Sequence, residues 1–508
     1  MSVIGDLLRH RTRLSPELEA VVSPTKRWTY REYNRMVNKL AHYLLKMEVK
    51  KGDRIAMVCK NSHHFPLIYM AAAKIGAITV PINWRLKTEG IQYILEDCQP
   101  KILFYDAQYD QVKPLLGVYP FIRQEILVTL ENDVSLLEQL IEPYPDEEPV
   151  ADVNPEDPLL IIYTSGTTGR SKGVVCTHHN LYFACIANTS TLDWRYRDRF
   201  LMVTPLFHIS GMVISVCALF RGFTLVVNDQ FHPMQTWDLL ESEKINIMFS
   251  VPGMLNFMYE SLKQRFVEAA SLRMIICGGA KVPADLIRGL YHFGYNVVQV
   301  YGATEFAGAA TFWLPEYGIE TCESAGKPVL LTGMKIVDPK TGEVLPPGKI
   351  GEVACRGPLM FAGYWNMEKE TAEVVRDGWY HTGDLGYMDE NGLLYVVDRL
   401  KDVIITNGEN VFPAQVELVI NRLEAVAESA VVGVPHPVWG ELARAYVVLK
   451  EGRSAEAGEV IAHVRRSLPD HHLHEVVFVE ELPKNGMGKV MKFLLRQEAV
   501  REQQSSQD

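Results

Sequence analysis

The sequence Tyr163-Thr-Ser-Gly-Thr-Thr-Gly-Arg-Ser-Lys-Gly-Val174 decides how the rest of this chain is interpreted. It directly continues the apolar run Leu159–Tyr163, which is typical of a buried strand. Its glycines permit a tight loop whose backbone N–H groups can face an anion, while hydroxyl side chains and one lysine add donors. These donors are Thr164, Ser165, Thr167, Thr168 and Lys172, and the loop glycines are Gly166 and Gly169. The segment is therefore predicted to bind the β- and γ-phosphates of a nucleotide.

Two other motifs overlap this segment. A Walker A loop requires GxxxxGK[ST], but Ser171 stands where the second glycine belongs and Gly173 follows the lysine, so a P-loop NTPase is disfavoured. The same residues satisfy the GxSxG pattern of α/β-hydrolases. That elbow places its serine immediately after a strand, whereas Ser171 lies well beyond Tyr163. A serine hydrolase remains the alternative from a different class of enzyme.

Length and composition indicate a multidomain globular protein. The chain has 508 residues, too many for one hydrophobic core, and 47% of them are hydrophobic and 22% charged. A net charge of −11 argues against a nucleic-acid-binding protein, which would show a dominant basic field. It leaves room for small anionic ligands, because a local group of donors can bind phosphate on an acidic protein.

Cysteines and apolar segments indicate a cytoplasmic protein. The eight cysteines show neither a CxxC pair nor metal-ligand spacing, which argues against a zinc site or a disulfide framework. The N-terminal residues lack the apolar stretch of a signal peptide. The longest apolar segment, Gly211–Val227, is interrupted by Arg221 and is short for a membrane span. We expect a cytoplasmic enzyme, with peripheral membrane contact and a homodimer left open.

The order of apolar runs and turn signals predicts an α/β fold. Thr29 and Glu32 form a capping-box pattern at the start of a helix, and strand and helix patterns then alternate, which implies largely parallel, buried sheets. Turn signals from Gly333 onward predict a β-rich subdomain at about 333–400. We place a boundary at Lys401, between a large N-terminal domain (1–400) of mixed α/β sheets and a small C-terminal α+β domain (401–508).

An ordered series of motifs follows the glycine-rich loop over more than 300 residues. The series comprises Pro205-Leu-Phe-His208, Cys277-Gly-Gly-Ala280, Tyr301-Gly-Ala-Thr-Glu305, Gly363-Tyr-Trp365, Asp377-Gly-Trp-Tyr-His-Thr-Gly-Asp384, Asp398-Arg-Leu-Lys-Asp402, Gly408-Glu-Asn410 and Pro483-Lys-Asn-Gly-Met-Gly-Lys489. Together these resemble the adenylate-forming superfamily of acyl-CoA synthetases, adenylation domains and luciferases. Two positions depart from the family pattern: Ser171 replaces a proline, and His471-His-Leu-His474 replaces a basic and aromatic segment.

The resemblance implies an ATP-dependent acid:CoA ligase that first forms an acyl-adenylate and releases pyrophosphate. Glu305 then corresponds to the magnesium-binding glutamate, with Thr304 and Thr164 beside the phosphates, and Thr164 and Glu305 are the Mg²⁺ ligands. Tyr301 corresponds to the ring that stacks on adenine, next to Gly302. Further nucleotide contacts implied in this way are Gly279 and Ala280 at the adenine and Asp384 and Arg399 at the ribose.

The same resemblance assigns the catalytic and moving parts. Lys489 would lie between the carboxylate and the ribose, and Lys172 would neutralise phosphate charge. Phe207 and His208 fit an aromatic gate between the acyl site and the pantetheine channel, and Gly408 would line that channel. Lys401 corresponds to a hinge, about which the mobile C-terminal domain rotates between the two half-reactions.

The acid is expected to be a medium- or long-chain fatty acid. The resemblance, which is closest to fatty acyl-CoA synthetases, implies that the acyl pocket is lined by the segments Phe207–Val213, Val251–Leu255 and Phe306–Ala310. These segments are apolar, contain small residues and lack a basic residue, which disfavours a dicarboxylate. An aryl acid would also fit, and a carrier-protein thiol is the alternative acceptor. The segment Trp194-Arg-Tyr-Arg-Asp-Arg199 could contact anionic lipid, although a solvated loop with local ion pairs explains the same residues.

Overall fold

A computed structural model describes residues 3–130, 132, 134–164, 171–406, 409–436, 439–468, 473–484 and 490–505. The chain forms two compact units. The first comprises Met1–Met334 and Cys355–Tyr380, and the second comprises Lys335–Ala354 and His381–Asp508. The α/β class, with a large N-terminal part and a smaller C-terminal part, is confirmed. The boundary predicted at Lys401 stays a prediction.

Helices and strands alternate along most of the described chain. The helices are α1 Ile4–Leu14, α2 Tyr30–Lys46, α3 His64–Ile75, α4 Thr88–Cys98, α5 Leu136–Ile141, α6 His178–Thr191, α7 Ile209–Arg221, α8 Pro233–Ser242, α9 Pro252–Gln264, α10 Ala284–His292, α11 Glu368–Val374, α12 Pro413–Ile420, α13 Ala457–Ser467 and α14 Lys492–Ser505. Short 3₁₀ turns include Thr304–Phe306 and Leu400–Asp402.

The strands fall into an N-terminal and a C-terminal set. The first set is β1 Glu19–Ser23, β2 Lys26–Thr29, β3 Arg54–Val58, β4 Ile78–Pro81, β5 Ile102–Tyr105, β6 Gln124–Leu127, β7 Pro158–Thr164, β8 Lys172–Thr177, β9 Arg199–Met202, β10 Thr224–Val227, β11 Ile247–Ser250, β12 Met274–Gly278, β13 Val297–Tyr301, β14 Thr311–Trp313 and β15 Lys327–Pro328. The second set is β16 Gly333–Val337, β17 Gly351–Arg356, β18 Gly363–Tyr364, β19 Val375–Arg376, β20 Trp379–Met388, β21 Leu394–Arg399, β22 Ile404–Thr406, β23 Glu409–Val411, β24 Val426–His436, β25 Gly440–Leu449 and β26 Leu473–Phe478.

Two large sheets build the first unit. One has seven strands in the order β18-β8-β7-β4-β3-β5-β6, and the other has nine in the order β15-β14-β13-β12-β11-β9-β10-β1-β2. The central strands of both pair in parallel, whereas β8, β18, β2, β14 and β15 pair antiparallel at the edges. The predicted largely parallel sheets are therefore present, and their buried strands are continuous apolar runs.

Local sequence signals set the helix ends that frame these sheets. Thr29 accepts a hydrogen bond from the Glu32 N–H while the Glu32 carboxylate accepts one from Thr29 N–H, the predicted capping box of α2. Helix α7 ends at Gly222, whose φ of +74° is the left-handed conformation that glycine adopts without penalty. Side chains from the first unit's strands and helices form apolar cores, and all eight cysteines are buried and unbridged.

The second unit contains its own sheet. Strand β25 is central: it pairs antiparallel with β24 and β22 and in parallel with β26. An apolar core from α12, α13 and these strands lies on one side, and α14 packs near β24. The stretch 333–399 carries short strands, as its turn signals predict, and β20 and β21 form an antiparallel hairpin. Within the described ranges no helix is long and apolar enough to span a bilayer.

Buried histidines predict that acid destabilises the first unit. The Ile4 N–H donates to Nδ1 of His178 over 3.2 Å, and the Nε2 atom has no partner among the described residues. Burial lowers the pKa of His178 to about 4. Its pKa in the unfolded chain is about 6.5, so the unfolded state binds more protons between these values and stability falls as the pH falls. Lowering the pH from 7.5 to 5 should cost about 2 kcal/mol through this side chain.

Urea unfolding at both pH values tests this expectation. A His178→Gln variant, whose amide oxygen can still accept from Ile4 N–H, should lose less stability on acidification than the parent. The matched control is His292→Gln, because His292 is exposed on α10 and should leave the pH dependence unchanged. Equal acid sensitivity in the parent and the His178→Gln variant would contradict the assignment.

Candidate functional site

The glycine-rich segment connects two paired strands of the first unit. Thr164, the last residue of β7, pairs with Lys172, the first residue of β8. A Cβ on Gly173 would lie 2.8 Å from Ile161 Cγ2, so a glycine is required where β8 packs against its neighbours. Five predicted phosphate-binding residues lie outside the described residues: Ser165, Gly166, Thr167, Thr168 and Gly169. Their contacts with phosphate stay a prediction.

Three side chains come together beside these strands. The Tyr364 hydroxyl donates a hydrogen bond of 2.8 Å to Oε1 of Glu305. The Lys172 ammonium lies 4.8 Å from the centre of the Tyr364 ring. Tyr364 belongs to β18, which pairs with β8, so strand pairing fixes the tyrosine above the lysine. One cation and one carboxylate are thus held by the same aromatic ring next to the predicted phosphate loop.

A close backbone approach shapes the segment before Glu305. A Cβ on Gly302 would lie 1.7 Å from the Gly308 oxygen, so only glycine fits there. The backbone N–H of Ala310 donates to the backbone carbonyl oxygen of Tyr301 over 2.8 Å. The backbone N–H of Phe361 donates to the backbone carbonyl oxygen of Glu305 over 2.9 Å. These bonds fold 301–310 into a compact turn, which holds Glu305 toward Tyr364.

The predicted adenine residues lie at the ends of two neighbouring parallel strands. Strands β12 and β13 pair in register from Ile275 with Val297 to Gly278 with Val300. Gly279 and Ala280 follow β12 and are exposed, and Tyr301 ends β13 and is half-buried. Ligands of open parallel sheets bind at the carboxyl ends of the strands, and Gly279, Tyr301 and Thr304 all lie at such ends. The structure therefore brings this part of the predicted site together.

Two predicted ribose contacts pair with each other in the second unit. Arg399 Nε donates to Asp384 Oδ1 over 2.8 Å, and the two residues are cross-strand neighbours in the β20–β21 hairpin. The predicted hinge Lys401 is exposed and lies in the 3₁₀ turn Leu400–Asp402 that follows. The next residue, Asp402, forms an ion pair of 2.7 Å with Arg496. Gly408 and Lys489 lie outside the described residues, so their roles stay predictions.

His208 lies at the start of α7 in an aromatic setting. Its ring centre is 4.3 Å from that of Phe207, and its Nε2 atom is buried without a hydrogen-bond partner among the described residues. Burial, followed by repulsion from Arg85, lowers the pKa of His208 to about 3. The imidazole is therefore neutral at physiological pH. A neutral ring suits the predicted gate and is a poor source of positive charge for a reaction.

A cavity of about 320 Å³ opens beside this aromatic group. Trp84 stacks on Tyr109 with ring centres 5.1 Å apart, and the Arg85 guanidinium lies 4.7 Å from the Trp84 ring. The lining residues are Lys60, Asn61, Trp84, Arg85, Gln108, Tyr109, Val203, Pro205, Asp229, Gln230, Phe231 and Met254. Of the three segments predicted to line the acyl site, only Val251–Leu255 contributes, through Met254.

The cavity contains a basic residue that the sequence pattern does not place there. Arg85 lies outside the three apolar segments predicted to surround the acyl group. Its guanidinium nevertheless lines the cavity and faces His208 closely enough to repel a charge on it. Tyr364 likewise belongs to one of the sequence motifs, but the motif alone assigns this residue no function. In both cases the contact joins residues far apart in the chain, which periodicity and spacing do not detect.

The arginine-rich segment 194–199 is largely engaged by the protein itself. Trp194 is 2% exposed, Arg195 pairs with Asp193 at 2.5 Å, and Arg199 pairs with Glu19 at 2.6 Å and also with Glu243. Local ion pairs therefore account for two of its three arginines, which is what the solvated-loop interpretation predicts.

The donors present fit a magnesium ion. Mg²⁺ prefers oxygen ligands and accepts one or two carboxylates together with substrate phosphates. Glu305 offers a half-buried carboxylate, of which the Tyr364 hydrogen bond uses Oε1, and Thr164 offers a hydroxyl at the end of β7. The predicted pair is therefore chemically suitable.

Comparison with known proteins gives consistent matches along the whole chain. The AMP-binding enzyme family matches residues 8–365, and the AMP-binding enzyme C-terminal domain matches residues 415–489. The Bacillus subtilis protein YdaB is 37% identical over 98% of this chain and 100% of its own length. Long-chain-fatty-acid–CoA ligase FadD13 of Mycobacterium tuberculosis is 36% identical, with 98% and 99% covered. A feruloyl-CoA synthase of Amycolatopsis is 35% identical, with 96% and 97% covered.

Solved structures agree with this family relationship. A fatty acyl CoA synthetase of Mycobacterium tuberculosis is 34% identical with a TM-score of 0.79, and 98% of each chain is covered. The ATP-bound MatB of Rhodopseudomonas palustris is 28% identical with a TM-score of 0.90, covering 97% of this chain and 98% of that one.

The backbone approach at Gly302 gives a direct test of the local architecture. Gly302→Ala should lower the free energy of unfolding by about 3 kcal/mol, because the methyl group would overlap the Gly308 carbonyl. Gly253→Ala is the matched control: a Cβ there meets nothing within 4 Å, and helix α9 accommodates alanine. Denaturant unfolding measures both. Equal stability of the two variants would show that the 301–310 turn is not packed as described.

Proposed function

Because the chain belongs to the AMP-binding enzyme family and is an AMP-forming acid–thiol ligase, we propose that its acid substrate is a medium- or long-chain fatty acid and its thiol acceptor is coenzyme A. The observation that supports nucleotide activation most directly is the contact of Glu305 and Lys172 with Tyr364 beside the β7–β8 connection. There a cation can meet phosphate oxygens and a carboxylate can hold a metal ion.

In the first half-reaction a carboxylate oxygen of the acid attacks the α-phosphorus of ATP. The bond from that phosphorus to the bridging oxygen of pyrophosphate breaks, and the electron pair leaves with pyrophosphate. Both reactants are anions, so positioning and charge neutralisation must supply most of the rate enhancement. Lys172 and Lys489 carry this role in the proposal, and a magnesium ion would neutralise phosphate charge when bound at Glu305 and Thr164.

In the second half-reaction coenzyme A loses its thiol proton to solvent water and its sulfur attacks the acyl carbon. AMP then leaves with the bonding electrons of the acyl–oxygen bond. His208 is neutral at physiological pH, so it does not attract the anionic adenylate. We assign it to the gate beside the acyl group rather than to proton transfer. Rotation of the C-terminal domain about Lys401 would withdraw Lys489 between the steps.

The fatty acid is favoured by the apolar character of the predicted acyl segments. Phe207, Leu255 and Phe306 are buried, and the small residues Ala309 and Ala310 leave room for a chain. The similarity to FadD13, a long-chain-fatty-acid–CoA ligase, supports this choice. A second candidate, an aryl acid, is supported by the Trp84–Tyr109 stack in the neighbouring cavity, because an aryl group can pack against aromatic side chains at the cavity wall.

A pyrophosphate-release screen tests the substrate and the acceptor together. Fatty acids from octanoate to palmitate should give kcat/KM values at least about tenfold above those for benzoate and ferulate, corresponding to about 1.4 kcal/mol in transition-state binding. Adding coenzyme A should convert the adenylate to a thioester. Preference for the aryl acids would select the second candidate, and turnover only with a carrier-protein thiol would exclude coenzyme A as acceptor.

Separate half-reaction assays test the assignment of Lys489. Lys489→Ala should abolish acyl-adenylate formation, because the charge at the reacting carboxylate is lost, yet largely spare transfer from a supplied acyl-adenylate. Lys450→Ala is the control, since Lys450 is an exposed lysine of the same unit. Equal loss of both half-reactions would contradict the proposed role.

The converse variant is Lys401→Pro, which restricts the backbone at the proposed hinge. It should leave adenylation near its original rate and slow thioester formation. An unaltered second half-reaction would reject the hinge assignment while leaving the role of Lys489 intact.

A further inference from the structure

A buried group of two histidines and one glutamate lies in the first unit, and none of the three is assigned to the reaction. His63 and His64 stand at the start of α3, and Glu138 lies on the short helix α5. The Nε2 atoms of His63 and His64 lie 2.9 and 3.6 Å from the same oxygen, Glu138 Oε1. Their side chains are 5% and 2% exposed, and that of Glu138 is 19% exposed.

Hydrogen bonds on the far side of each ring favour the same tautomer. The Ser23 hydroxyl is 3.1 Å from His63 Nδ1 and can donate its own hydrogen to the Lys26 oxygen. The Thr129 hydroxyl is 3.3 Å from His64 Nδ1, and it can donate its own hydrogen to the Asp106 carboxylate. Both hydroxyls are therefore placed to accept from Nδ1–H, which leaves lone pairs on the Nε2 atoms.

Two imidazole lone pairs and a carboxylate oxygen then face one another at short range. A divalent cation placed between the three atoms would be attracted to all of them at once. Asp106, 2% exposed and with Oδ1 lacking a hydrogen-bond partner among the described residues, adds negative charge near His64.

We propose that His63, His64 and Glu138 bind a divalent transition metal ion, with Zn²⁺ preferred. Zinc–nitrogen and zinc–oxygen bonds of about 2.0–2.1 Å place tetrahedral ligands about 3.4 Å apart, between the two observed separations. Outer hydroxyls that hold Nδ1 are the usual second layer of a histidine metal site. Ser135 Oγ, 2.7 Å from His64 Nε2, is positioned to complete the coordination.

The site would have a structural role. Helix α5 has six residues, too few to be stable alone, and Ser135 caps it by accepting from Glu138 N–H. A metal shared by Glu138 and the start of α3 would fix this helix to the body of the first unit. The Lys26 Nζ atom lies 2.7 Å from Glu138 Oε2, and this ion pair can persist because the metal would bind Oε1. The cysteine spacing that argues against a zinc site does not bear on these residues.

Metal titration of the untagged, chelator-treated full chain tests the proposal. One Co²⁺ per chain should bind at micromolar concentration and show the intense visible absorption of a four-coordinate ion, and Zn²⁺ should displace it. Saturation with Zn²⁺ should raise Tm by at least about 2 °C. His63→Gln and Glu138→Gln should each weaken binding at least about tenfold.

His292→Gln is the matched control, because it removes an exposed histidine of the same unit and should bind like the parent. If a histidine variant fails to fold, Glu138→Gln, which preserves size and hydrogen bonding, decides the outcome. The proposal is overturned if the folded parent takes up no stoichiometric Co²⁺ or Zn²⁺. It is also overturned if Glu138→Gln binds as tightly as the parent.

Discussion

The hydrogen bond from Tyr364 to Glu305 is the contact on which the candidate site depends. Tyr364 lies on β18 at the edge of the seven-stranded sheet, and Glu305 follows β13 of the nine-stranded sheet. The bond therefore joins the two sheets at the point where their functional strands end. Since Lys172 lies against the same tyrosine ring, its position and that of the carboxylate are set by one side chain.

Charge explains why such a contact matters. The protein carries a net charge of −11, yet its proposed reaction joins two anions. Local organisation must therefore overcome an unfavourable overall field, and Lys172 at the β7–β8 connection is a cation placed to do so. Burial keeps His208 neutral, so this ring adds no charge of its own beside the predicted acyl segments. Asp384 and Arg399, the two proposed ribose contacts, form an ion pair with each other in the second unit.

Much of the fold could be predicted from local patterns, whereas the long-range contacts could not. The capping box at Thr29 and the alternation of apolar runs depend on neighbouring residues, and both predictions are confirmed. The motif series also placed Tyr301 and Glu305 in one functional group before any geometry was known. By contrast, Glu138 is distant in sequence from His63, and Arg85 from His208. Such pairs are created by packing of separate elements, and neither periodicity nor spacing records them.

A crystal structure with a non-hydrolysable ATP analogue and magnesium is the most direct test of the central claim. The account predicts that the triphosphate lies along residues 164–172, that Tyr301 stacks on adenine, and that Glu305 holds the metal while keeping its bond to Tyr364. A triphosphate bound away from that segment, or a metal ion with no contact to Glu305, would contradict the account.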